Sequence, residues 1–353
     1  MFQLNGVIEK ALEGSETIKH VHRGILLSRL STPDAMVHFA KNVLAKALEE
    51  HAVEDPIASC YSNMGFAPFT IGDDEEFAIA IPGTNAYLAR IEKRERVLPA
   101  ISVNRELQKR MAELVKKELD GWVPTKKDWA QMKDEVLAEM LARAPIRPTS
   151  INLIFNGGFL YVMTSSSKVA EDCNAIIRKA FGTWGVTYAM NHDYRLRDYM
   201  KTVALSGVEH TIPGYFAHLK HDDGEDVKLK DIDIRGNETV SELINDFFTV
   251  RSLDIELKTD TALGDIGFRL SDKGILTGID IGDPDIDANY DATIEQYGND
   301  SGKFLTMMAN LFHFVKSMEY VTDKLNIDDA LQEGANDIME MLSELVEEED
   351  EEV

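Results

Sequence analysis

Cysteine is nearly missing from this chain: Cys60 and Cys173 are the only two in 353 residues. They lie far apart, and each is expected as a free, small apolar residue in a reducing compartment, not as half of a disulfide. Long apolar runs are missing as well, since none approaches the roughly 18 residues that a membrane span needs. The first residues, MFQLNGVIEKALEG, show no basic segment followed by an apolar stretch, so no secretory signal is expected and the expected compartment is the cytoplasm. Phosphate-cradling glycine loops are absent, both G-x-x-x-x-G-K-[ST] and G-x-G-x-x-G. No G-x-S-x-G nucleophile elbow occurs, and neither cysteine sits in a C-x-x-C pair, which removes the commonest zinc and redox arrangements. The pairs His20/His22 and His218/His221 stand beside no second ligand pair and read as surface histidines. No cofactor, no metal and no membrane partner is expected.

Carboxylates are plentiful, so one acidic stretch needs a test. Asp283, Asp285, Asp287 and Asp291 match positions 1, 3, 5 and 9 of an EF-hand loop, but Ala288 replaces the turn glycine and Ile294 the final glutamate. The expectation is a solvated acidic loop. The enzymatic alternative is a metal-dependent exonuclease holding Mg²⁺ through Asp280, Asp283, Asp285 or Asp287.

The net charge of −25 is unevenly spread. Residues 1–86 balance at −6, residues 87–201 at +6 and residues 202–353 at −25. The middle third is thus a positive island, a pattern that suits an anionic partner such as nucleic acid. Its densest point is RIEKRERVLP, with Arg90, Lys93, Arg94 and Arg96. Read as a strand over 86–97, it puts Tyr87, Ala89 and Ile91 on one face and Arg90, Glu92, Arg94 and Arg96 on the other, as in an antiparallel strand wet on one side.

Further along, Leu107, Met111, Leu114 and Val115 mark a helix over 104–119 whose remaining surface carries Arg105, Lys109, Arg110, Lys116 and Lys117. After a break at Gly121–Pro124, Thr125 and Asp128 form a capping box for a second helix. Trp129, Met132, Val136 and Met140 make its apolar stripe. Two helices with basic flanks and a short connection predict a protruding helical hairpin. Asn156–Gly157–Gly158 between apolar runs predicts a strand hairpin. A strand within 20–30, a helix opened by Thr32 and Pro33, helices near 168–181, 192–204 and 238–248, strands near 251–258, 265–270 and 275–281, and helices over 302–325 and 328–347 complete the reading. Met307, Met308, Leu311, Phe312 and Val315 are expected in the core, and the acidic run Glu347–Glu352 as disordered.

The order MGF-x-P (64–68), AR-x-E (89–92), VLP (97–99), MKDEVLAEMLARA (132–144), a strand hairpin and KVAEDCNAIIRKAFG (168–182) resembles the RdgC family of recombination-associated DNA-binding proteins. Weaker similarity continues through IRGNETVSELI (234–244), SLDIEL (252–257) and FRLSDKGIL (268–276). The resemblance implies an α+β fold, antiparallel sheets with packed helices and a projecting helical finger, that assembles as a homodimeric ring around double-stranded DNA. It also implies sequence-independent DNA binding that limits a RecA-type recombinase, and a nucleoid association. The parts expected are an N-terminal α+β part (1–98), the finger (99–148), a central α+β part (149–300), C-terminal helices (301–346) and an acidic tail (347–353). By motif match, Arg90 and Arg96 flank the family's strand, Lys126, Lys127 and Lys133 lie in the finger's second helix, Arg143 and Arg147 at its base, and Arg235 in the later part. With Lys93, Arg94, Arg105 and Lys109 these are the candidate phosphate contacts. The chain departs from the family at Pro145, after the R-A pair, and at Gly236–Asn237, after Arg235. A non-enzymatic protein is expected. A further alternative is an acidic C-terminal region that imitates DNA toward a basic partner.

Overall fold

Alternation along residues 86–91 and 151–155 builds strands that are apolar on both sides, and a sheet of such strands must be covered on both faces. The computed structural model describes residues 25–30, 41–71, 74–117, 122–156, 159–181, 186–188, 193–259, 264–281, 292, 295–296 and 299–325. Thr32, Pro33, His20, His22, Asp283, Asp285, Asp287, Asp291, the expected helix at 328–347 and the acidic run after it lie outside these residues.

In chain order the elements are β1 (Ile25–Leu30), α1 (Lys41–Glu49), β2 (Ser62–Phe66), β3 (Phe69–Ile71), β4 (Asp74–Glu76), β5 (Ile79–Ala80) and β6 (Ala86–Arg96), then α2 (Ala100–Lys117) and α3 (Lys126–Arg143). There follow β7 (Ile146–Asn156), β8 (Phe159–Val162), α4 (Ser167–Phe181), β9 (Val186–Tyr188), α5 (Asp193–Leu205), β10 (Thr211–Lys220), β11 (Asp226–Lys230), α6 (Glu238–Asn245), β12 (Thr249–Leu257), β13 (Ile266–Ser271), β14 (Ile275–Asp280) and α7 (Asn299–Lys324). The architecture is α+β, with one sheet of order β11-β10-β12-β13-β14-β1-β8-β7-β6-β2 and β5 and β9 paired at its side. Its strand pairs are antiparallel, and β1 joins the two halves by pairing with β8 on one edge and with β14 on the other. The sheet is therefore continuous from the N-terminal strands to those of the later part.

Ala89, Ile91, Leu153, Phe155, Leu160 and Val162 face one core, closed by Leu44 and Leu48 of α1 and by Ala170, Cys173 and Ile177 of α4. The alternate residues Leu88, Ile154 and Tyr161 face a larger core that includes Leu311, Phe314, Val315 and Met318 of α7. That core continues over β10 and β12–β14 under Leu196, Tyr199 and Val203 of α5 and Val240 and Ile244 of α6. Phe314 packs edge-on against Tyr161, ring centres 6.3 Å apart. Phe312 is 39 % exposed, so it is Phe314 and not Phe312 that enters the core. The reading of β6 as wet along one face is likewise corrected: Ala86, Leu88 and Arg90 of that face are buried.

Burial also sets a pH response. It pushes the Cys173 thiol from 9.0 up to about 12, helped by the charge of Asp172, and desolvation pushes Tyr161 from 10.0 to about 12. Both groups are held neutral in the fold, so their stabilisation is complete below the unfolded values and is lost as pH rises through the folded ones. The urea midpoint is expected to fall as pH climbs from 9.0 to about 12, and Cys173→Ala removes the part that begins near the free-thiol value. A midpoint in Cys173→Ala with unchanged alkaline sensitivity would contradict this.

Candidate nucleic-acid interface

α2 and α3 form a helical hairpin inserted between β6 and β7, the adjacent strands that carry them. α3 opens on the expected capping box: the Thr125 side chain accepts from the Asp128 amide, and the Asp128 carboxylate accepts from the Thr125 amide at 2.8 Å. These hydrogen bonds hold the Asp128 carboxyl below the usual carboxylate range. The hairpin buries Val103, Leu107 and Met111 of α2 and Val136 and Leu141 of α3. None of these five belongs to either large core. Val115 and Trp129, expected on the apolar stripes, are 41 % and 39 % exposed. Arg110 ties the two helices together, its Nε 2.7 Å from Glu106 and its Nη2 2.8 Å from Glu139. Those hydrogen bonds raise the Arg110 pKa and lower that of Glu106.

The arginine strand turns out differently. Arg90, Arg94 and Arg96 do share a face, but Asp55, Pro56, Pro68, Phe69 and the end of α3 lie against their side chains. Arg90 is 7 % exposed; its Nη2 donates to the Pro68 carbonyl at 2.6 Å and its guanidinium sits 4.3 Å from the centre of the Phe69 ring. Arg94 donates to Glu92 at 2.7 Å and to Asp55 at 2.9 Å, bonds that raise its pKa. Arg96 donates through Nη1 to the carbonyls of Leu141, Ala142 and Ala144 and through Nη2 to that of Pro56 at 2.7 Å. It satisfies acceptors that the C-terminus of α3 leaves open. On the opposite face Lys93 lies 2.5 Å from Glu95 and pulls that carboxyl down. The expectation of an open phosphate-facing strand is thus corrected: each of these guanidiniums donates to acceptors of the chain itself.

The same contacts explain several of the sequence motifs. In MGF-x-P, a Cβ on Gly65 would lie 2.8 Å from the Val53 backbone, Phe66 is fully buried, and Pro68 supplies the Arg90 acceptor. In VLP, the Val97 amide donates to the Pro145 carbonyl at 2.8 Å.

The candidates on the helical hairpin are exposed. Arg105 and Lys109, together with Lys116, recur at i, i+4 and i+11 on α2, the side turned away from buried Val103, Leu107 and Met111. Lys126, Lys127 and Lys133 are exposed on α3. The first two stand at the positive end of the helix dipole, where cations are unfavourable without a counter-anion. Arg143 is 80 % exposed with Glu139 at 3.6 Å, and Arg147 is 68 % exposed with Glu95 at 3.8 Å. Arg235 is exposed but stands apart, following Ile234, whose amide donates to Gly214 of β10. Between β10 and β6 lie seven strand steps, roughly 34 Å along the sheet. One copy of the chain does not bring Arg235 and the hairpin into one patch.

Among the described residues no group of three or more His, Cys, Asp or Glu side chains could hold a metal ion. His218 pairs with Asp226 at 2.6 Å and His221 with Asp223 at 2.8 Å. Among the same residues no helix is long and apolar enough to cross a membrane.

The family described as "Putative exonuclease, RdgC" matches residues 22–324. The chain belongs to the RdgC family. Among its relatives, the recombination-associated protein RdgC of Pseudomonas paraeruginosa (strain DSM 24068 / PA7) is 29 % identical over 204 residues, 55 % of this chain and 65 % of that protein. The protein of the same name from Actinobacillus succinogenes (strain ATCC 55618 / DSM 22257 / CCUG 43843 / 130Z) is 29 % identical over 215 residues, 58 % of this chain and 67 % of the relative. That from Actinobacillus pleuropneumoniae serotype 5b (strain L20) is 30 % identical over 149 residues, 39 % and 47 % of the two chains. The chain thus spans less than two thirds of the length of the first of these relatives.

Proposed function

We propose that this RdgC-family protein is a non-enzymatic, sequence-independent binder of double-stranded DNA that modulates homologous recombination. In this reading two copies assemble into a ring around the duplex, α2 and α3 project as its fingers, and the occupied DNA is withheld from a RecA-type recombinase. The carrying observation is the outward row of Arg105, Lys109 and Lys116 on α2, which forms no ion pair among the described residues. Lys126, Lys127 and Lys133 add to it on α3. Side chains of this kind neutralise phosphates and release counterions, and they carry no base readout.

A gel-shift titration of linear duplex across salt concentration tests the reading. Retardation at low salt without sequence preference is expected, with log K falling by about 0.9 per phosphate contact per unit of log salt. Unretarded duplex at low salt would sink it. Addition of Mg²⁺ should leave the duplex intact; digestion abolished by Asp280→Asn would favour the exonuclease reading instead.

A further inference from the structure

A second concentration of positive charge lies in the part of the chain that is otherwise most acidic. An open cavity of about 990 Å³ is bounded by the start of α4, the end of β10, the start of β12 and the turn from β13 to β14. Lys168, Lys220, Lys273 and Arg251 line it, along with the hydroxyls of Ser165 and Ser252. Its carboxylates are mostly spent. Asp272 is shared between Arg251 at 2.8 Å and Arg197 at 3.3 Å, and Asp226 is held by His218 at 2.6 Å. Lys168, Lys220 and Lys273 form no ion pair among the described residues, and only Glu171 offers an opposing unpaired charge. Arg251 also keeps a buried Nε–H without an acceptor.

We propose that this cavity binds phosphate groups. Ammonium, guanidinium and hydroxyl donors converge where unpaired acceptors are few, which matches a multiply charged oxyanion. The volume exceeds what a single phosphate needs and is of the size that small-ligand sites occupy. Among the described residues no Phe, Tyr or Trp lines the cavity, its one ring, His218, is tied to Asp226 at 2.6 Å, and Ile275 is its one large apolar group, so a nucleobase has little to stack on. The ligand is therefore a run of phosphates read without its base, either a free polyphosphate or the phosphorylated end of a nucleic acid. The site is separate from the helical hairpin, and only its nucleic-acid source rests on the DNA-binding reading.

Calorimetric titration of the full chain at low salt with inorganic tripolyphosphate, ATP, and 5′-phosphorylated and 5′-hydroxyl oligonucleotides tests the assignment. Tripolyphosphate and ATP are expected to bind within about threefold of each other, because the base contributes little. The double variant Lys220→Gln/Lys273→Gln should weaken tripolyphosphate by at least about tenfold through two lost charge-assisted contacts. Its melting temperature and its retardation of internal duplex should remain those of the parent chain. Tighter binding of the 5′-phosphorylated than of the 5′-hydroxyl oligonucleotide supports a nucleic-acid end as the source. Equal binding of the two with tripolyphosphate still bound supports a free polyphosphate. Absence of tripolyphosphate binding, or equal binding by the double variant, overturns the proposal. Neither of those results bears on duplex retardation by α2 and α3.

Discussion

Replacing Arg96 with alanine is expected to lower the stability of the protein by about 3 kcal/mol and leave its salt-dependent DNA affinity almost untouched. The guanidinium serves Pro56 in one direction and three carbonyls at the end of α3 in the other. Its loss strips the last turn of α3 of a cationic cap and leaves the Pro56 carbonyl without its donor. Lysine should recover less than half of the loss, because one ammonium cannot reproduce a planar fork that reaches both partners. Urea denaturation followed by far-UV circular dichroism gives the stability, and a salt titration of duplex binding on the folded variant gives the slope. If Arg96 met phosphate instead, the slope would drop by about 0.9 with normal melting. That result would return the arginine strand to the interface.

The opposite outcome is expected on α2. The triple variant Arg105→Gln/Lys109→Gln/Lys116→Gln removes three exposed cations that contribute nothing to either core. Its melting should match the parent to within about 0.5 kcal/mol, as is usual for surface positions. Its salt slope should fall by as much as about 2.7, and its duplex affinity at low salt should drop roughly tenfold to hundredfold. The loss should be uniform across DNA sequences, since phosphate contacts carry no base information. An unchanged slope would remove α2 from the interface and leave α3 and Arg235 to carry it. The two variants form a pair, in which one loses stability and keeps DNA while the other does the reverse.

Much of the fold was legible because its signals are local. The capping box of Thr125 and Asp128 needs only a spacing of three, and the Asn-Gly signal after Phe155 separates two runs that pair as β7 and β8. The alternation of Tyr87, Ala89 and Ile91 correctly marked one core face of β6. β10 was harder to see, since Pro213 and Gly214 interrupt any period of two. The pairing of β10 with β12 shifts register between Pro213 and Ala217, an irregularity that accommodates the missing donor.

The candidate site divided along the same line. Charge counting isolated the basic middle third, and periodicity placed Arg105 and Lys109 on a solvent face. It could not say that Arg94 would find Asp55, 39 residues earlier, or that Arg96 would reach Ala144, 48 residues later. A strand face with three arginines reads the same whether water or another segment lies above it. The lysines of the cavity were missed for the same reason, because Lys168, Lys220 and Lys273 come from three separate stretches and each alone is an ordinary surface residue.

The chain by itself thus settled its family, its helical hairpin and the sign of its charge along the length, all of which depend on residues close in sequence. Tertiary structure alone decided which positive charges are spent. A guanidinium that lies against carbonyls and an aromatic ring is fold. The cations on α2 and α3 and the lysines around the cavity that form no ion pair among the described residues are the ones proposed to take up phosphate.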